Sequence, residues 1–183
     1  MAEKNETTAK VAPKEVIITR ILNAPRELVF EAYTNPEHVA KWFGPRIFTA
    51  TAEADLRKGG EYRYAMIGTD QAPPEAKGPY PMKGVYLEFI RPEKVVQTTD
   101  LTDHPEDWKE LIKRNIANYN GQDFLHTMMS VIFEAIGDNK TKITITTTFY
   151  SAEDRDAYFN TVITEGWTKR TEKPGSLRIE NCT

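Results

Sequence analysis

Polar and apolar residues alternate with a period of two over much of the chain, broken by a few stretches whose period lengthens to three or four. Residues 1–13 carry no period and are expected to form a disordered tail. The run VIITRIL at 16–22 packs Val16, Ile17, Ile18, Thr19 and Ile21 together, as in a strand buried on one face and partly covered on the other. Ala24-Pro25 breaks it. Pro25 suits the first position of a helix, where its missing N–H is no loss, and Leu28, Val29, Ala32 and Tyr33 supply an apolar stripe. Asn35 caps a second short helix with Pro36 in its first turn, and this helix runs to Trp42-Phe43 before Gly44-Pro45.

Strands and turns follow from Ile47 to about Leu101. Lys58-Gly59-Gly60-Glu61 reads as a hairpin turn, since glycine takes positive φ at little steric cost. Beyond it Tyr62, Tyr64 and Met66 share one face of a strand, and Glu61, Arg63 and Ala65 take the other. Residues 68–81, with four prolines, are expected to form a loop. Strands over 84–90 and 94–99 meet at Arg91-Pro92-Glu93, with Arg63 and Glu88 expected to pair on the outer face. The spacing of Trp108, Leu111, Ile112, Ile116 and Tyr119 predicts an inserted helix over 105–119. Strands over 125–136 and 140–149 join at Gly137-Asp138-Asn139. Ser151 then caps a last helix, with Asp154 three residues on and Tyr158, Val162, Ile163 and Trp167 as its stripe, ended by Pro174-Gly175.

These connections are too short for helical crossovers, so the sheet is antiparallel and the fold class is α+β. A last helix of about 20 residues would span roughly 30 Å, enough to lie across a curved sheet. The expected organisation is a tail over 1–13, one domain over 14–173 and a C-terminal tail over 174–183.

Composition narrows the function. The net charge of −3, from 24 basic and 27 acidic residues, lacks the basic footprint of a nucleic-acid binder. The densest basic group, Lys109, Lys113 and Arg114, is interleaved with Glu106, Asp107 and Glu110 and reads as a solvated helix face. No signal peptide or membrane-spanning run appears, and the single cysteine, Cys182, has no partner for a disulfide, so a cytoplasmic location is expected. His38, His104 and His126 are too widely spaced to mark a metal site, and no cofactor or nucleophile motif occurs. His126, in a strand, could face an interior cavity as a general base; the alternative is a histidine making one ordinary hydrogen bond.

Several spaced motifs carry a family resemblance: Ala24-Pro25 with Leu28-Val29-Phe30, Asn35-Pro36-Glu37 to Trp42-Phe43-Gly44-Pro45, Asp55-Leu56-Arg57-Lys58-Gly59-Gly60, Gly84-Val85-Tyr86-Leu87-Glu88 and Gly166-Trp167. Over about residues 15–168 the chain resembles the homologues of the activator of the heat-shock-protein-90 ATPase, within the START-like, polyketide-cyclase-like helix-grip superfamily (SRPBCC). The resemblance implies a curved antiparallel sheet around a long C-terminal helix, two short helices after the first strand, and a hydrophobic pocket between sheet and helix. Trp42, Phe43, Tyr64, Met66, Tyr86, Met129 and Trp167 are the expected lining, although each would serve equally as plain core. The expected role is non-catalytic binding of a small hydrophobic or amphipathic molecule, by a monomer or homodimer. The alternatives are an accessory to a heat-shock-protein-90 type chaperone and a cyclase- or dehydratase-like enzyme. Two departures stand out: the insertion near 103–122, which could lid the pocket, and the scarcity of apolar residues after Trp167.

Overall fold

A computed structural model describes residues 7–158. Among the described residues eight strands form one antiparallel sheet: β1 (Thr7–Ala12), β2 (Glu15–Leu22), β3 (Phe48–Ala54), β4 (Glu61–Gly68), β5 (Tyr80–Ile90), β6 (Lys94–Asp100), β7 (His126–Ala135) and β8 (Thr141–Thr148). Their spatial order is β1-β2-β8-β7-β6-β5-β4-β3. The helices are α1 (Arg26–Thr34), α2 (Pro36–Trp42), α3 (Glu106–Asn115) and α4 (Ala152–Tyr158), with a short 3-10 turn at Pro74–Ala76. Val162, Ile163 and Trp167, expected on the last helix, lie outside the described residues.

The first expectation to be corrected is the tail. Thr7–Ala12 pair with β2 from Thr7↔Arg20 to Ala12↔Glu15. Hydrophobic period reports burial, and β1 is an edge strand whose residues from Thr8 to Val11 are all exposed, so it shows none. It is held instead through backbone groups of β2 that would otherwise lie unpaired. The second correction is at β5, which begins at Tyr80 inside the expected loop. Pro81 pairs with Ala65 of β4. On the other side, β5 pairs with β6 only as far as Lys83↔Asp100, so at Pro81 no β6 ladder requires an N–H.

Helix termini follow the local chemistry. The Asn35 side chain accepts from the Glu37 backbone N–H at 3.0 Å, capping α2 with Pro36 in its first turn. Pro25 occupies the cap of α1 itself, one position earlier than expected. At α4, the Asp154 N–H donates to Ser151 Oγ and the Ser151 N–H to Asp154 Oδ2, each at 3.1 Å, a reciprocal capping box. α3 stops at Asn115, short of Tyr119.

Inner-face side chains alternate with outer ones and meet α1 and α2 in a core containing Val16, Ile18, Leu22, Val29, Phe30, Val95, Val131, Phe133, Ile143 and Ile145. Phe30 of α1 meets Phe89 and Phe133 edge-on, at 5.5 and 5.1 Å between ring centres. A second, smaller core joins Ile112 and Ile116 to Phe124, Leu125, Trp108 and Ala157 of α4. The inserted helix therefore packs on the start of the last helix. It does not lid the cavity described below, to which it contributes no lining residue.

Candidate functional site

Between α1, α2 and the inner face of β4–β7 lies a cavity lined by Tyr33, Thr34, Val39, Trp42, Phe43, Tyr64, Met82, Tyr86, Val95, Gln97 and Met129. Its free volume is about 30 Å³, room for about two waters and far below the ~300 Å³ that holds an organic ligand. Of the residues expected to line a pocket, Trp42, Phe43, Tyr64, Tyr86 and Met129 are brought together here. Met66 sits apart, where a Cβ on Gly44 would lie 2.8 Å from its Sδ. Trp167 lies outside the described residues.

The aromatic wall is positioned by two devices. Trp42, at the end of α2, donates its indole N–H to the Ala32 carbonyl at 2.8 Å and stacks on Tyr33 at 5.4 Å. Tyr86 and Phe89 both face inward because β5 is bulged between Tyr86 and Glu88. The extra residue, Leu87, is exposed, and plain alternation would have turned Phe89 outward. Gly84 completes the wall: a Cβ there would fall 2.7 Å from the Tyr62 ring, which crosses β5 so that its hydroxyl donates to the Thr98 carbonyl at 2.8 Å.

The site is apolar with a few polar tips. The Tyr64 and Tyr86 hydroxyls lie 3.2 Å apart in the buried interior. Gln97 is only 3% exposed, and the Thr34 hydroxyl is spent on the Phe30 carbonyl at 2.8 Å. Burial pushes the phenols of Tyr62 and Tyr86 up to about 12 and raises that of Tyr64 as well. At neutral pH these are uncharged donors, not bases. Among the described residues no charged side chain lines the cavity.

His126 does not face this interior. It lies on the outer face of β7, 52% exposed at its side chain, with Nδ1 2.7 Å from Asp123 and Nε2 3.6 Å from Asp100. Strand alternation puts it opposite Met129, which rules it out as a base for this cavity. Arg63 and Glu88 also differ from expectation: they pair with Glu61 and Lys94, at 3.7 and 3.0 Å, and not with each other. Among the described residues no group of three His, Cys, Asp or Glu is placed to hold a metal ion, and no helix is long and apolar enough to cross a membrane.

Sequence reasoning missed Met82, left between the expected loop over 68–81 and the expected strand over 84–90, and Gln97, a lone amide in the strand KVVQTTD whose polarity is the only signal of a special position. Tyr33 was legible as part of the apolar stripe of α1 but not as lining.

The family model described as Activator of Hsp90 ATPase homolog 1-like protein matches residues 23–173. The chain belongs to this family. Solved structures place this family member among proteins of the same helix-grip fold. A protein from Nitrosomonas europaea is 22% identical, with a TM-score of 0.68 over 95% of this chain and 100% of its own. One from Mycobacterium smegmatis is 21% identical, with a TM-score of 0.69 over 94% and 95%. One from Arthrobacter aurescens is 19% identical, with a TM-score of 0.71 over 95% and 91%. At these identities the likeness concerns the fold alone. No curated protein matches the sequence significantly.

Proposed function

We propose that this family member is a non-catalytic binding protein that takes a small hydrophobic or amphipathic molecule into the space between the sheet and the helices. The observation that carries the reading is the cavity itself, where an uncharged cage of aromatic and methionine side chains surrounds a buried pair of hydroxyls. At about 30 Å³ it must widen to accept a ligand. Met82 and Met129 are unbranched and repack at low cost, and Phe43 sits where α2 ends, so these three are the side chains that would yield.

The test is native mass spectrometry of freshly purified protein, with a thermal-shift screen of lipids and aromatic metabolites. A bound mass or a melting temperature that rises with ligand concentration is expected. Failure of every compound to move either would overturn the reading.

Membership of the family favours a second reading, as an accessory to a heat-shock-protein-90 type chaperone. It predicts co-precipitation with such a chaperone and an altered ATPase rate. An unchanged rate with no detectable complex would remove it.

A further inference from the structure

The Tyr64–Tyr86 pair holds an unmatched proton. Two phenols 3.2 Å apart share a single hydrogen bond, whichever is the donor. One O–H lies between the oxygens, and the other must find an acceptor elsewhere. Among the described residues no other hydrogen bond engages either hydroxyl, whereas Tyr62, beside them, is met by the Thr98 carbonyl and the Thr99 hydroxyl at 2.8 and 3.2 Å. Tyr64 and Tyr86 are 8% and 2% exposed and both line the cavity. An unsatisfied buried hydroxyl is costly, so this proton is served from the cavity, which has room for water.

Resting on the ligand-holding reading above, we infer that the cavity selects uncharged molecules that carry a hydrogen-bond acceptor oxygen, such as a ketone, ester or ether beside an apolar body, and binds that oxygen with the spare proton of the Tyr64–Tyr86 pair. A molecule that displaces the water without replacing its acceptor leaves the proton stranded. A carboxylate brings an acceptor but meets no cation among the described lining residues, and an unpaired buried charge is far more expensive than an unmade hydrogen bond. The buried phenols offer no compensating charge either: they are neutral, and ionised they would only add a second negative charge.

Three probes of one size test this at pH 7.5: acetophenone, ethylbenzene and benzoate, titrated calorimetrically into the intact protein. Acetophenone should bind about tenfold more tightly than ethylbenzene, and benzoate more weakly than both. Proton counting also predicts the variants. Tyr64→Phe or Tyr86→Phe alone leaves one phenol whose proton is now wholly free, so the preference for acetophenone persists. Tyr64→Phe/Tyr86→Phe together should reduce it to near unity while leaving ethylbenzene affinity in place. Equal binding of acetophenone and ethylbenzene by the wild-type protein would overturn the inference and leave the ligand-holding reading standing. Tightest binding by benzoate would also overturn it. Binding of none of the three, with a positive thermal-shift screen elsewhere, would overturn it as well, and a negative screen would remove both. The wild-type comparison decides even if the double variant fails to fold.

Discussion

At the scale of single residues the tyrosines carry most of the information. The chain has eight, and three of them, Tyr62, Tyr64 and Tyr86, stand together with ring centres 4.8 and 5.4 Å apart. Their native pKa values exceed the unfolded value near 10, so above pH 10 the unfolded chain loses protons that the native state keeps. Stability is therefore fully present below pH 10 and falls as pH rises toward 12. Ultraviolet titration should show these three phenols silent at pH 11 and ionising only with unfolding, which parallel circular dichroism would time. Smooth titration of all eight in the folded protein would contradict the placement. The sequence made Tyr62 and Tyr64 legible as inner-face residues because they alternate with Glu61 and Arg63 along β4. It could not show that only two of the three hydroxyls are left for the cavity, since that depends on the Thr98 carbonyl, distant in sequence but delivered by the pairing of β5 with β6.

At the scale of elements, local chemistry predicts ends better than it predicts faces. Asn35 and Ser151 were readable as caps because a cap needs only the next three residues. Ser151→Ala should cost about 1 kcal/mol, read as a lower urea midpoint with an unchanged slope, and Ser151→Thr should recover most of it. The strand β1 and the bulge in β5 were not readable, because an exposed edge has no period and a bulge changes the facing of Phe89 without changing its neighbours in sequence. The inserted segment holds a further device. His104 is 7% exposed, with its ring 4.4 Å from Trp108 and 5.7 Å from Tyr80, and its Nδ1 has no partner. Burial chiefly, and Lys109 in addition, push its pKa down to about 4, against the opposing pull of the Pro81 carbonyl and Asp103. Because the folded value lies below the unfolded 6.5, the unfolded state binds the proton first. Stability is then complete above about pH 6.5 and is lost progressively as pH falls toward 4, by on the order of 3 kcal/mol. The melting temperature should drop across that window, and His104→Phe should flatten the drop while keeping the stack. An equal acid dependence in the variant would assign the effect to other groups.

At the scale of the whole molecule, the two cores divide the chain unequally. The main core spans the sheet, α1 and α2, and its existence was legible from alternation and from the motifs between Ala24 and Gly60. The second core was not, because the apolar stripe of α3 declares that the helix must be buried without saying on what. Its partners turn out to be Phe124 and Leu125 ahead of β7 and Ala157 of α4, so among the described residues it is closed by few side chains. A unit so small should open on its own, below the free energy of global unfolding. Native-state hydrogen exchange should therefore show the amides of α3 exchanging well before those of β6, β7 and β8. Ile112→Ala, which removes the most buried side chain of that core, should widen the gap. It deletes about 2–5 kcal/mol of packing from a unit that has little to lose. Because Trp42 lies in the main core and Trp108 in the second, the same variant should shift the fluorescence of Trp108 and leave that of Trp42 in place, separated in Trp42→Phe/Trp167→Phe and Trp108→Phe/Trp167→Phe backgrounds. If instead protection in β6–β8 fell in step with α3, the two cores would form one cooperative unit, and the inserted helix would be a structural member of the sheet domain and not an appendage to its last helix.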